Sequence, residues 1–223
     1  LVERNVADLV DLPNGQPGRP SKSLTSKQVD QILVKTRPHS MHAYIVVSLL
    51  TGVRTEELRA LRWEHVDLEP KEVRGDEIQP QMEVWRSVRA GGDTKTRGSR
   101  RTLTLPRLCV EALSQQRDRQ ALLKKRAGET WIETGLVFTT SVGTALDAAN
   151  VRRGFRNALK DIEGLDPSEW TPRELRHSFV SILSSSGVPI EEISRLVGHS
   201  GTTVTELIYR HELRPALQAG ATA

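Results

Sequence analysis

The sequence predicts a mainly α-helical domain with one small antiparallel β-sheet, and three observations carry that prediction. From Leu24 onward apolar residues recur at helical spacing over most of the chain. Only between Val66 and Leu105 does the period fall to two. Helix-start and helix-stop signals bracket the helical stretches. With 223 residues, 37% hydrophobic and 27% charged, the composition is globular and sufficient for a sizeable core. No apolar run approaches the roughly 20 residues of a membrane span. Charges in the first eleven positions stand where a secretion signal needs an apolar stretch. The single cysteine, Cys109, permits no intrachain disulfide, fits a cytoplasmic setting, and reads as a small buried apolar residue.

Taken in order, residues 1–12 read as the tail of a helix, and the stretch LPNGQPGRPSKS (12–23), with three prolines and two glycines, has linker composition. Thr25 and Gln28 form a capping-box pair ahead of Val29, Ile32 and Leu33. A second, apolar helix around 43–50 stops at Gly52, and its Tyr44 reads as core. A third, TEELRALRW, places acids in its first turn, as the helix dipole favours. Met82, Val84, Arg86 and Val88 then alternate with Glu83, Trp85, Ser87 and Arg89, and RRTLTLP alternates again beyond a Gly-rich connection. Helices are expected to resume over about 108–126, 147–162, 172–185, 190–197 and 204–209. The helix from Pro172 is the best marked, with Thr171 to cap it, Pro172 suited to its first position, Glu174 to complete the box, and Leu175, Phe179 and Ile182 as its core stripe.

The net charge of +4 says little, but 24 of the 32 basic residues are arginine, whose planar fork grips phosphate in bidentate fashion. Nine aromatics are too few for a base-stacking platform, so binding of nucleic acid would run through phosphates. Arg173 and Arg176 share a face in the first turn of their helix, where cations oppose the dipole. A phosphate there would meet both forks and the helix N-terminus. Five short stretches then supply chemistry in order: TGVRTEELRAL with Arg54, GGDTKTRGSRR with Lys95, TPRELRHSF with Arg173 and Arg176, LVGHS with His199, and LIYRH with Tyr209. Tyr209, one of only two tyrosines, lies ten residues after His199 and two before His211.

This ordered set resembles the catalytic domain of the tyrosine recombinases, the phage-type integrases, whose pattern is T-G-x-R-x-x-E-L, a hairpin lysine, H-x-L-R-H, L-G-H and a late tyrosine. The resemblance runs from about Leu24 to Leu213. It implies a breaking-and-rejoining fold over 24–213, with residues 1–23 as the end of a preceding core-binding domain and its linker, and 214–223 as a C-terminal tail. It also implies Arg54, Lys95, Arg173, Arg176, His199 and Tyr209 as the catalytic set, with Tyr209 the nucleophile that forms a 3′-phosphotyrosyl intermediate. Glu57 is expected to buttress Arg54 from one helical turn away, with His177 as a further supporting residue. Arg97, Arg100 and Arg101 are candidate contacts to DNA phosphates. The partners implied are double-stranded attachment sites and, for a full-length protein, a homotetramer assembled on them; this piece alone is expected to be monomeric.

Arg173 departs from the pattern, because the family usually has histidine there. A guanidinium stays protonated at neutral pH, so Arg173 can donate to a phosphate oxygen but cannot shuttle a proton. His199 then takes the tyrosine's proton or no side chain does. The remaining chemistry needs cations around the non-bridging oxygens and a proton for the leaving 5′ oxygen, for which Lys95 is the candidate. Positioning and charge carry most of such a transfer, so neither metal nor ATP is expected. His199 and His211 lack a third ligand at zinc-like spacing. Two rival readings stand beside recombination. SILSSSGVPIEEISRLVGH resembles the helix-turn-helix of a non-catalytic regulator, and a type IB topoisomerase-like enzyme would share the chemistry.

Overall fold

The computed structural model describes residues 22–85, 87–88 and 100–198. Its helices are α1 (Ser26–Lys35), α2 (His42–Thr51), α3 (Thr55–Arg59), α4 (Arg107–Ala127), α5 (Ala148–Ala158), α6 (Arg173–Ser185) and α7 (Ile190–Val197). The strands are β1 (Val66–Asp67), β2 (Lys71–Val73), β3 (Asp76–Ile78), β4 (Gln81–Val84) and β5 (Arg101–Thr104). The predicted class, mainly α with a little antiparallel β, is the observed one.

α2 is the centre of the core. Ala43, Tyr44, Ile45, Val46, Val47 and Leu49 are all buried, so the helix is apolar around its whole circumference, as a helix enclosed by others must be. It packs against α4 on one side and α6 on another. Tyr44 stacks edge-on against Phe138 at 5.1 Å between ring centroids and donates its hydroxyl to the Thr55 carbonyl at 3.2 Å, which satisfies the phenol without giving it to solvent. Burial presses its proton on more tightly, to above the usual phenol range. Cys109 is fully buried in the same core.

The Thr25–Gln28 capping box forms as expected, whereas at α6 only the Glu174 half of the box is made, because the Thr171 hydroxyl donates to Glu174 instead of accepting a backbone N–H. Thr25 Oγ1 accepts from Gln28 N, and Gln28 Oε1 accepts from Thr25 N, so two otherwise orphaned donors are satisfied at once. At the head of α6, Glu174 Oε2 reaches back to accept from Thr171 N at 2.7 Å and from the Thr171 hydroxyl, while Pro172 already has helical φ and ψ. Asp147 caps α5 through Asn150 N at 2.7 Å.

The β segment differs in detail from its expectation, because it forms two sheets. β1, β4 and β5 make a three-stranded antiparallel sheet in that order, with Met82 opposite both Val66 and Leu103. β2 and β3 form a separate hairpin turned at Arg74 and Gly75. Alternation holds through Trp85 and then fails: Ser87 is buried and Val88 is exposed, the reverse of the expected faces. Val88 N donates to the Glu56 carbonyl at 3.3 Å, so past β4 the chain leaves the sheet and turns toward α3. Arg86 and Arg89 lie outside the described residues.

Candidate active site

Four chain segments meet at the C-terminal end of α2. The first is the turn from α2 into α3. Gly52 ends α2 with φ +64, and a Cβ placed there would stand 2.4 Å from Phe179 Cδ1. Only a residue without a side chain allows α6 this close while holding the left-handed conformation. The reversed chain then sets Arg54 in extended conformation just before α3.

Arg54 is locked by Glu57 on both sides of its own residue. Its backbone N–H donates to Glu57 Oε2 at 3.0 Å and its Nη1 to Glu57 Oε1 at 2.8 Å. Its Nη2 donates to the carbonyl of Gly198 at 3.0 Å, across 144 positions of sequence. Gly198 ends α7 with φ +67, so this guanidinium meets the negative end of that helix.

Arg176, on α6, donates from Nη1 to the Gly52 carbonyl at 2.6 Å. Its Nη2 is buried and has no hydrogen-bond partner among the described residues. A buried cationic donor left unpaired is costly, and here burial first, and the charges of Arg54 and Arg101 next, push the guanidinium down to about 9. It is still charged at neutral pH. Arg54 and Arg176 thus flank the Gly52 turn from two elements, with a donor ready for an anion.

Arg101 completes the group. Grouped with the DNA-facing arginines in the sequence reading, it is instead turned inward, with 9% of its side chain exposed. Its Nη2 donates to Glu57 Oε2 at 3.0 Å, its Nη1 to Glu57 Oε1 at 3.3 Å, and its Nε to the Leu196 carbonyl at 2.9 Å. The alternation of RTLTL contained the signal: Leu105, Leu103 and Arg101 fall on one face, and that face is the core side. Its neighbour Arg100 is exposed.

Glu57 is therefore one carboxylate shared by two guanidiniums, with 3% of its side chain exposed. Burial works against its charge, yet the hydrogen bonds and charge of Arg101, joined by those of Arg54, hold the carboxyl below its usual range. With Arg176 beside them on α6, three guanidiniums share the site with one buried carboxylate, an arrangement with positive charge to spare for an anionic ligand.

Arg173 is exposed at the head of α6, and among the described residues its charge acts on His177. Burial, then Arg173, holds that half-buried imidazole below its usual range. Lys95, Arg97, His199, Tyr209 and His211 lie outside the described residues, as does the helix expected over 204–209. Among the described residues there is no group of three or more histidines, cysteines, aspartates or glutamates able to hold a metal ion. Nor is any of their helices long and apolar enough to cross a membrane.

The sequence profile of the phage integrase family matches residues 22–214. The chain belongs to that family. An integrase of Streptomyces ambofaciens is 60% identical over 226 residues, a match that takes in 99% of this chain and 57% of that protein. This integrase-family chain spans little more than half the length of the curated relatives it matches. Its fold is that of tyrosine recombinases of known structure. The XerA recombinase superposes with a TM-score of 0.68 at 22% identity, covering 93% of this chain and 67% of XerA. The Tn1549 transposon integrase, solved in complex with transposon right-end DNA, superposes with a TM-score of 0.65 at 20% identity over 96% of this chain and 70% of its own. Membership does not favour the regulator reading. The α6–turn–α7 unit is a helix-turn-helix in outline, but its second helix ends on the guanidiniums of Arg54 and Arg101.

Proposed function

We propose that this chain is the strand-cleaving domain of a site-specific DNA recombinase that integrates and excises a mobile element. Tyr209 Oη attacks a backbone phosphorus of duplex DNA, the bond from phosphorus to the 5′ oxygen breaks, and a 3′-phosphotyrosyl ester holds the strand. The leaving 5′ oxygen takes a proton from Lys95, and the reverse reaction with a new 5′ hydroxyl rejoins the strands. One ester replaces another of similar energy, so the cycle needs no external energy source.

The observation that carries this reading is the unpartnered, buried Nη2 of Arg176 beside Arg54, in a site with three guanidiniums and one buried carboxylate. Charge builds on the non-bridging oxygens as the phosphorus is attacked, and donors already fixed in place stabilise it without reorganising. Arg54 and Arg176 form that clamp. Arg173 adds a donor that never gives up its proton, and His199 takes the proton of the Tyr209 hydroxyl as its oxygen attacks. Glu57 orients Arg54, and Arg100 and Arg97 hold the flanking phosphates.

Residues 24–213 then form the catalytic domain, with 1–23 joining it to a core-binding domain and 214–223 a tail. Acting on duplex attachment sites in the cytoplasm, a full-length protein assembles as a homotetramer on two sites, whereas this chain alone is a monomer. The family relationship and the Tn1549 integrase–DNA complex support the choice of partner.

A suicide duplex nicked beside the cleavage site tests the proposal, because the short leaving fragment escapes and the covalent complex accumulates on a denaturing gel. The wild-type chain forms the complex and Tyr209→Phe forms none. A wild-type chain that forms no complex across a panel of attachment sites, or a Tyr209→Phe variant that still forms one, overturns the reading. Exchange between two sites, with a protein carrying the core-binding domain, separates recombination from topoisomerase-like nicking and closing.

A further inference from the structure

We propose that Arg101 is a positioning residue for strand cleavage, acting on Arg54 through Glu57 and on the end of α7 through the Leu196 carbonyl; this rests on the phosphodiester-cleavage reading above.

All three of its guanidinium nitrogens donate to protein acceptors: Nε to Leu196 O, Nη1 to Glu57 Oε1 and Nη2 to Glu57 Oε2. A planar fork satisfied in this way, nearly enclosed, is not free to follow a DNA backbone. Its acceptors are the informative part. Glu57 Oε1 is shared with Arg54 Nη1, and Glu57 Oε2 with Arg54 N. Without Arg101 the carboxylate would keep its two bonds to Arg54 but lose the two that hold it from the β5 side. The second anchor lies two residues from the Gly198 carbonyl that takes Arg54 Nη2.

Arg101 thus closes a ring of hydrogen bonds through Glu57, Arg54, the last turn of α7 and back to β5. The close fit supports the same point. A Cβ added to Gly198 would stand 2.9 Å from Arg101 Nη1, so the end of α7 and the guanidinium are packed against each other. In sequence, Arg101 stands six residues after Lys95 and Leu196 three before His199, so the ring joins the start of β5 to the end of α7 at one buried carboxylate. A lysine cannot replace this, because one ammonium cannot span a carbonyl and both oxygens of a carboxylate.

The test uses the full chain and the suicide duplex, measuring duplex affinity and the single-turnover rate of covalent complex at saturating DNA. Arg101→Ala and Arg101→Lys are expected to lose about 10- to 100-fold in rate, the scale of a small misplacement of reacting groups. Duplex Kd should stay within about threefold of wild type, and the salt dependence of binding should not change, because no phosphate contact is removed. In a double-mutant cycle, Arg101→Ala added to Glu57→Gln should cost less than about threefold further, since the two act as one unit. A lysine variant at wild-type rate, a loss confined to Kd, or rate losses that multiply in the cycle would each overturn the inference. If Arg101→Ala does not fold, Arg101→Lys alone decides between rate and affinity. A wild-type chain that gives no covalent complex would sink the cleavage reading, an outcome distinct from failure of Arg101's role.

Discussion

Arg176 Nη1 donates to the Gly52 carbonyl at 2.6 Å, joining residues 124 positions apart, and leaves Nη2 buried with no partner among the described residues. The bond determines where the guanidinium sits, because Gly52 also ends α2 and packs under Phe179, one turn beyond Arg176 on α6. One face of α6 therefore makes both the helix–helix contact and the proposed anion site, and the placement of Arg176 derives from the core.

Arg176→Ala is expected to lower the single-turnover cleavage rate at saturating duplex on the order of 10²-fold or more, as removal of a fixed oxyanion donor does. Arg176→Lys should recover less than a tenth of the lost rate. One ammonium cannot both hold the Gly52 carbonyl and present a second donor. Quenched-flow appearance of the covalent complex measures both. A lysine variant near wild type would mean that the site needs only a charge.

Arg100 and Arg101 are adjacent, yet one is exposed and the other enclosed. Arg100→Ala should therefore weaken duplex binding and lower the slope of log K against log salt by about 0.9, one phosphate's worth, with the rate at saturation unchanged. Fluorescence anisotropy between low and moderate salt reads the slope. An unchanged slope would remove Arg100 from the phosphate contacts.

How far the site was legible in sequence follows from the range of each interaction. Glu57 lies in the first turn of α3, three positions after the extended residue Arg54 that precedes the helix, so their pairing was readable from spacing alone. Gly52, Gly198 and the Thr171–Glu174 pair are local signals too, since backbone conformation and capping depend on near neighbours. The partners of Arg101 lie 44 and 95 positions away, and a row of arginines in one loop reads as a uniform set of phosphate contacts. Alternation along β5 set its face, but only the tertiary fold shows that Glu57 waits there. The strand pattern beyond Trp85 misled for the same reason: Val88 bonds to the Glu56 carbonyl, and no property of its neighbours in sequence reports that.

Glu57 makes the stability of the domain depend on acid. Its folded-state carboxyl is held below the usual range, so its ionised form stabilises the fold fully above the unfolded value near 4.5, and that contribution is lost as pH falls through the lower, folded value. Glu57→Gln should cost about 3 kcal/mol at pH 7, because two buried guanidiniums lose their shared charge. It should also flatten the decline of stability below about pH 4.5, where the wild-type carboxylate is itself being protonated. Urea denaturation at a series of pH values gives both quantities. Parallel wild-type and variant curves from pH 7 to pH 3 would show that the carboxylate does not carry the network.

Gly52→Ala separates two costs at one residue. The left-handed conformation, φ +64, costs a residue with a Cβ roughly 1–2 kcal/mol. The clash with Phe179 adds about 1–3 kcal/mol of overpacking, because Cδ1 stands only 2.4 Å from the new atom. The single variant should therefore lose about 2–5 kcal/mol in chemical denaturation. Phe179→Leu removes the ring and should relieve the steric part only, so in that background Gly52→Ala is expected to cost about 1–2 kcal/mol. Cleavage should follow the steric part, since a displaced Gly52 carbonyl moves the Nη1 of Arg176 with it. A Gly52→Ala protein of wild-type stability and rate would mean that α6 does not lie against this turn, and the anion site built on their contact would have to be abandoned.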